Sequence, residues 1–340
     1  MTTRPNVRKL VLRLAGLALS ITLAVLLLRE VDLNSFAQMA TSIPLWSLLA
    51  ALGCYLLLNF FRLIRFRTLL KRPDIPFETL YPIVLYHNFL VRMLPFKTGE
   101  LSYVVLLRQH LNQPLREGVS SLISARLFEL FMVIVIGGGA LLLETNLVNL
   151  PVFVSVLIVV VGGLLYLGAL YYSGPLMHLA AGIIGQAGTR MGRERLTTLA
   201  NEKLNVLAGP FDRIGDRRVF TSTLLTSFCT YSMSALFYVV LLYAIGVSVA
   251  PGVMIGMVSI VMLAEAVPLA TISGLGMIEG GWTFGLVALA GYDIGQAASI
   301  GFFLHGCQML AAGLTGLVGY LWLQMNRREQ ITGGLDVKQG

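Results

Sequence analysis

The residues best suited to chemistry lie in two short segments that share one order of residue types. They read RMLPFKTGE at residues 92–100 and PLATISGLGMIEGG at residues 268–281. In each segment a proline comes first, hydroxyl residues and glycine follow, and a glutamate begins the next apolar stretch. A helix that starts after such a break has unpaired backbone N–H groups in its first turn, where the helix dipole adds positive potential. Each segment is therefore predicted to bind an anion such as a phosphate, through the N–H groups near Thr98–Gly99 and near Ser273, Gly274 and Gly276.

Several charged side chains accompany these segments. They are Arg92, Lys97, Glu100, Arg126, Glu129, Glu265 and Glu279. A charge at membrane depth costs roughly 2.5 to 3.5 kcal/mol on insertion scales, so each of them needs a partner or a polar cavity. Lys97 and Arg92 are predicted to attract a phosphate.

The carboxylates of this set have alternative interpretations. Arg126 and Glu129 are three residues apart, share one helix face and are expected to pair. A structural ion pair between a span and its neighbouring hairpin is the favoured interpretation, and contact with a ligand is the alternative. Glu100 and Glu279 have two equally weighted interpretations. Each either compensates the helix dipole, or contacts a cationic headgroup or couples transport to protons.

The composition places these segments in a membrane protein. Apolar residues make up 56% of the 340 residues, and the mean hydropathy is +0.79. Because a span needs about 20 mostly apolar residues, the chain has material for about seven or eight spans. Only 12% of the residues are charged, against roughly 25% in soluble domains. These values exclude a soluble enzyme, a secreted disulfide scaffold and a disordered chain.

The basic residues indicate topology rather than nucleic-acid binding. The net charge is +8, but the Lys and Arg residues form short runs between apolar stretches. Placing these runs in the cytoplasm predicts cytoplasmic N- and C-termini in the inner membrane, with the N-terminal apolar stretch retained as a helix. The three cysteines show no metal or disulfide spacing and are predicted to pack in the core.

The apolar stretches predict one all-α transmembrane domain that spans residues 1–340. Six stretches are long enough to cross a bilayer: Leu10–Leu28, Pro44–Phe61, Val119–Leu143, Pro151–Tyr172, Val219–Ile245 and Ile294–Met325. Two further regions, Leu80–Leu111 and Val253–Gly291, contain the two motifs near their centres and are predicted to be broken or re-entrant helical hairpins.

The charges place these two hairpins on opposite faces of the membrane. Span, hairpin and span at about 44–143 are then followed by the same units, inverted, at about 219–325. A basic cytoplasmic linker at about 175–218 joins the two repeats and is predicted to be helical, and a polar tail follows at 326–340. Inverted repeats with matching breaks are typical of transporters that bind substrate near the midplane.

Other polar residues in the spans have simpler explanations. Arg62, Arg65 and Arg67 are predicted to snorkel at the inner interface, with a lipid-phosphate role as the alternative. His87, Asn88 and His305 are expected to form hydrogen bonds between helices. The sequence has no nucleotide-binding loop and no metalloprotease or hydrolase motif, so we expect no catalytic residue, no metal, no cofactor and no nucleic-acid partner.

The two motifs also resemble those of the lysylphosphatidylglycerol synthase transmembrane-region family. The similarity rests on Asn88, Leu94-Pro95-x-Lys97-x-Gly99-Glu100, Arg126-x-x-Glu129 and Pro268-x-x-x-x-Ser273-Gly274-Leu275-Gly276-x-x-Glu279-Gly280. It extends from about Trp46 to Met325. The resemblance implies a lipid translocase whose hairpins line the pathway. It also implies that synthase activity belongs to a separate soluble domain, which is not expected in the residues that follow the last span.

The sequence therefore predicts a flippase for a polar or phosphate-bearing lipid, with membrane lipids as its partners. A non-transporting membrane partner of a lipid-modifying enzyme or glycosyltransferase is the first alternative, and an integral-membrane transferase is the second. The sequence is also compatible with a homodimer. The headgroup, the direction of transport and the energy source stay open.

Overall fold

The computed structural model describes residues 7–95, 98–144, 151–198, 208, 211–266 and 273–336, which form helices and no strands. The helices are α1 Val7–Glu30, α2 Leu33–Ser42, α3 Leu45–Leu69, α4 Phe77–Met93, α5 Gly99–Leu111, α6 Leu115–Met132, α7 Gly138–Glu144, α8 Val152–Tyr171, α9 Ser173–Arg190, α10 Glu194–Thr198, α11 Arg217–Ala244, α12 Pro251–Ala266, α13 Met277–Ala290 and α14 Ile294–Asp336. A π-helical segment, Val133–Gly137, joins α6 to α7. The predicted all-α class is confirmed.

The long apolar helices identify a multi-pass membrane protein. Among the described residues, five helices are long and apolar enough to cross a membrane: Leu45–Leu69, Leu115–Glu144, Val152–Tyr171, Arg217–Ala244 and Ile294–Asn326. They correspond to five of the six predicted stretches. The remaining stretch, Leu10–Leu28, lies on helix α1.

Each predicted broken region consists of two short helices. Helices α4 and α5 contain 17 and 13 residues, and α12 and α13 contain 16 and 14. All four are shorter than the roughly 20 residues of a full span. Asn112, which follows the last residue of α5, has a left-handed conformation that terminates the helix. Pro114 then occupies the N-cap position of α6. Phe96, Lys97 and residues 267–272 lie outside the described residues.

The helices of the two halves pack crosswise. Helix α3 packs along α11, so the first spans of both halves form the centre of the protein. Helix α4 of the first half packs on α14 of the second, and α12 of the second half packs on the π-helical segment and α7 of the first. A side chain at Gly137 would collide with Ser259 of α12, which explains glycine at this close approach.

The peripheral helices cover the two ends of this core. Helix α1 packs on α13 and α14, and the Ser20 hydroxyl donates a hydrogen bond to the carbonyl of Leu275 in the second break. Helix α2, which the sequence did not predict, is capped by Asp32. The linker is helical at α9 and α10, as predicted, and its leucines Leu199, Leu204 and Leu207 lie outside the described residues.

Candidate functional site

A cavity of about 480 Å³ lies where the core helices meet. Helices α3, α4, α5, α6, α11, α12, α13 and α14 all contribute to its lining. Its charged lining residues are Arg62, Arg92, Arg126, Glu100, Glu129 and Glu265, and its apolar walls include Leu58, Leu122, Leu127, Leu130, Phe237 and Met262. The cavity therefore offers charges and aliphatic surface side by side.

The predicted pairing of Arg126 with Glu129 is present. One guanidinium nitrogen of Arg126 donates to Glu129 Oε2 at 2.6 Å, and the other donates to Glu100 Oε1 at 2.5 Å. Arg126 and Glu129 lie on α6, whereas Glu100 lies in the first turn of α5. The ion pair thus ties a span to the second arm of the first hairpin, as the structural interpretation expected.

Arg65 corrects the prediction of snorkelling at the interface. Its side chain is only 1% exposed and donates to Glu129 Oε1 at 2.5 Å. A second nitrogen of Arg65 donates to the Ser227 hydroxyl on α11 at 3.2 Å. Burial follows from the close packing of α3 on α11, and an arginine in that interface needs a carboxylate partner. Arg67 lies at the end of α3 and donates to the Pro73 carbonyl.

Arg62 also departs from the interfacial prediction, because it lines the cavity. Its Nη1 donates to Asn88 Oδ1 at 2.6 Å, and Asn88 in turn donates to the side-chain oxygen of Asn59. Its Nε lies 3.8 Å from Glu129 Oε1. Glu129 is therefore the carboxylate around which three arginines gather. Asn88 forms the interhelical hydrogen bond that the sequence predicted, and it also orients Arg62.

A second ion pair links the two halves across the cavity. Arg92 on α4 donates to Glu265 Oε1 on α12 at 3.3 Å. Gln308 on α14 donates to the same oxygen at 2.9 Å. Asn88, which binds Arg62, and Arg92 are four residues apart, which is about 6 Å along the axis of α4. The cavity thus has two polar stations, one around Glu129 and one around Glu265.

The second break contributes less to the cavity than the sequence predicted. Ser273 and Gly274 line it, whereas Gly276 and Glu279 do not. Glu279 is fully buried; its Oε2 accepts the Gly276 N–H at 2.7 Å, and its Oε1 lies 2.7 Å from His305 Nδ1.

The N–H group of Gly276, which was predicted to be free, is already paired, and so are the next two N–H groups of this helix start. The N–H groups of Met277 and Ile278 donate to the Gly274 carbonyl, and that of Gly276 donates to Glu279. The structural interpretation of Glu279, as a charge that compensates the helix dipole, fits this geometry, because its carboxylate also accepts a hydrogen bond at the start of α13. His305 forms the predicted contact between helices, and His87 does so with Ser102 at 2.9 Å.

The first break places its residues in three different settings. Glu100 lines the cavity. Gly99 is buried against α4, where a side chain would collide with Leu90 and Val91, and the Thr98 hydroxyl donates to the Pro95 carbonyl at 2.7 Å. Lys97 lies outside the described residues.

Sequence reasoning missed Arg62, Tyr55 and Gln308 as cavity residues. A usable signal was present on α3, because Tyr55, Leu58 and Arg62 follow the spacing i, i+3 and i+7 of one helix face. Gln308 had no such signal, since its role depends on a hydrogen bond from α14 to Glu265 on α12, 43 residues away along the chain.

Residues 13–316 match the family model described as the lysylphosphatidylglycerol synthase TM region. The chain belongs to this family. No curated protein and no solved structure is significantly similar to it. The family match includes both breaks and the whole cavity lining from Tyr55 to Gln308. In this member of the family, the charged residues of both stations therefore lie within the family's membrane region.

Proposed function

We propose that this chain is a lipid translocase, and not itself an enzyme, which moves a lipid with a polar, phosphate-bearing headgroup between leaflets. The observation that carries the proposal is the cavity, in which paired arginines and glutamates lie beside aliphatic walls. A lipid crossing a membrane presents the same combination, because its headgroup must remain solvated while its chains remain in an apolar environment.

The size and chemistry of the cavity support this assignment. Its volume of about 480 Å³ suits a headgroup rather than a complete lipid. Arginine guanidinium groups bind phosphate oxygens through parallel hydrogen bonds, and Arg62 and Arg126 both line the cavity. Charges inside a membrane bundle are costly and mark the path of a substrate more often than they serve packing alone.

The crosswise packing of the halves supports an inverted repeat. Helix α4 of the first half packs on the last span of the second, and α12 of the second half packs on the last span of the first. Such exchange is expected when two units are related by an axis in the membrane plane. Rocking of one half against the other would then expose the cavity to each leaflet in turn.

The proposed topology is a bacterial-type inner-membrane protein with both termini in the cytoplasm. Support comes from the basic runs at residues 62–72, 190–218 and 327–338 and the acidic residues Glu30, Asp32, Glu144 and Asp293 in the opposite loops. Reporter fusions after residues 72, 146 and 340 test it, because only the fusion at 146 should report the outer side.

The test of function is lipid exchange in liposomes that contain the purified chain. Labelled zwitterionic, anionic, aminoacylated and polyprenyl-phosphate lipids would be compared for their rate of transfer to the outer leaflet. We expect selective exchange that falls at least tenfold in Arg126→Gln, because this variant leaves Glu100 and Glu129 without their shared arginine.

Arg72→Gln is the matched control, since Arg72 forms an exposed ion pair with Asp74 outside the cavity. Its exchange rate should equal that of the wild-type chain. Exchange no faster than in protein-free vesicles for every lipid, from a folded sample, would contradict transport and favour the non-transporting membrane partner.

A further inference from the structure

The lining of the cavity has three arginines and three glutamates, and Arg65 directly behind it adds a fourth positive charge. Four arginines, Arg62, Arg65, Arg92 and Arg126, form ion pairs in or directly behind its lining. Among the described residues, their carboxylate partners are Glu100, Glu129 and Glu265. The set therefore has one more positive than negative charge.

The excess charge is located at Arg62. Both oxygens of Glu129 already accept hydrogen bonds, one from Arg65 at 2.5 Å and one from Arg126 at 2.6 Å. Arg62 approaches Glu129 only to 3.8 Å and makes its hydrogen bond to the neutral amide of Asn88. Within the described part of the chain, Arg62 makes no hydrogen bond to a carboxylate. Its guanidinium thus lines the cavity with donors that a ligand oxygen can use.

The carboxylates are correspondingly ill placed to receive a second cation. Glu100 and Glu129 share Arg126, and Glu265 accepts from Arg92 and Gln308. The second oxygen of Glu100 is buried and has no hydrogen-bond partner among the described residues, but it does not reach the cavity surface. An ammonium group entering the cavity would therefore have to share a carboxylate that a guanidinium group already occupies.

We infer that the cavity selects a lipid whose headgroup has a single phosphodiester charge and no net positive charge. This inference rests on the proposed function and names its substrate class. A phosphodiester monoanion would neutralise Arg62, whereas a lysine-esterified headgroup, with one phosphate and two ammonium groups, would add to the positive excess at low dielectric. The preferred substrate is then the unmodified anionic lipid rather than the aminoacylated lipid that the family name suggests.

The aliphatic walls favour a lipid phosphate over a free one. Leu58, Leu122, Leu127 and Leu130 line the cavity beside the charges. Contact of these side chains with the first segments of acyl chains adds affinity that inorganic phosphate cannot obtain.

Binding to the detergent-solubilised full chain tests the inference without requiring transport. Four probes would be titrated by thermal shift and native mass spectrometry: phosphatidylglycerol, lysylphosphatidylglycerol with the same acyl chains, glycerophosphoglycerol and inorganic phosphate. We expect phosphatidylglycerol to bind at least tenfold more tightly than the lysylated lipid and than either soluble probe. Arg62→Gln should reduce this preference at least fivefold, Arg62→Lys should retain most of it, and Arg72→Gln should not change it.

Equal or tighter binding of the lysylated lipid would overturn the inference, and equal binding of inorganic phosphate would overturn its assignment to a lipid. Leaflet exchange measured on the same preparations separates the two proposals. Exchange that favours the lysylated lipid would contradict only the proposed charge selection and would leave the proposed transport intact. Selective binding of phosphatidylglycerol without exchange upholds the charge selection and contradicts transport.

Discussion

Arg92 and Glu265 lie on opposite halves of the chain, and their side chains meet at 3.3 Å beside the cavity. One belongs to the first arm of the first hairpin and the other to the end of the first arm of the second. An ion pair in this place holds α4 of the first half beside α12 of the second half. A transporter that rocks its halves would have to break it in each cycle.

Arg92→Gln is expected to slow lipid exchange roughly fivefold, which corresponds to about 1 kcal/mol. The variant leaves the carboxylate of Glu265 in the cavity with Gln308 but without its arginine. The charge exchange Arg92→Glu with Glu265→Arg should recover at least half of the lost rate. A double variant that is slower than both single variants would show that the pair does not act as a unit.

Glu129→Gln is expected to destabilise the protein by about 3 to 5 kcal/mol, because the buried charge of Arg65 loses its carboxylate. The unfolding midpoint in detergent measures this effect. Glu129→Asp keeps the charge and should recover part of the loss. If Glu129→Gln unfolds at the wild-type midpoint, the clustering of arginines around this residue has no structural role.

Glu279→Gln tests whether this carboxylate acts in transport or in folding. The residue is fully buried, caps Gly276 and contacts His305 away from the cavity. We expect the variant to lose about 1 to 3 kcal/mol of stability through impaired hydrogen bonds. Its exchange rate per folded molecule should remain within twofold of wild type. A large loss of exchange at unchanged stability would instead restore Glu279 to the transport mechanism.

Gly276→Ala is expected to be poorly folded. Gly276 has a φ of 81°, and an added Cβ would collide with the Ser20 carbonyl on α1. This positive φ alone costs a side chain about 1 to 3 kcal/mol. Gly306→Ala is the matched control, since nothing lies within 4 Å of its added Cβ. The control should be at least as stable as wild type, because alanine favours a helix interior over glycine.

The stability of the protein is expected to depend on pH through Asp216, which caps the start of α11. The backbone N–H of Arg218 and then the Lys71 ammonium hold the pKa of this exposed carboxyl below its ordinary value. The stabilisation is therefore present above about pH 4 and is lost as the pH falls through the lowered pKa. Asp216→Asn should lower the unfolding midpoint at pH 7 and lower it by less at pH 3. A midpoint lowered equally at both pH values would contradict this account.

The sequence predicted the features that depend on local pattern. The spans follow from apolar length, and the breaks follow from proline and glycine, as at Pro95 and Gly274. The Arg126–Glu129 pair follows from helical spacing. Each of these signals lies within a few residues along the chain, where helix geometry decides which groups meet.

The features that it missed depend on packing between distant helices. Arg65 is buried because α11 covers it and offers Ser227, 162 residues away along the chain. Likewise, Glu279 lies away from the cavity because its carboxylate contacts the His305 ring and accepts a hydrogen bond from the Gly276 N–H. Ser227 and His305 both lie outside the local sequence pattern. From that pattern alone, Arg65 resembles an interfacial residue.

The π-helical segment at Val133–Gly137 sets the rotational phase of the span that contains it. One π turn inserts one residue, and one residue corresponds to roughly 100° of rotation about a helix axis. Glu129 and Val133, up to the start of the segment, face the cavity, and Gly137 at its end faces Ser259 of α12. The inserted residue therefore shifts the face that follows the cavity-lining turns, and this shifted face packs closely against α12.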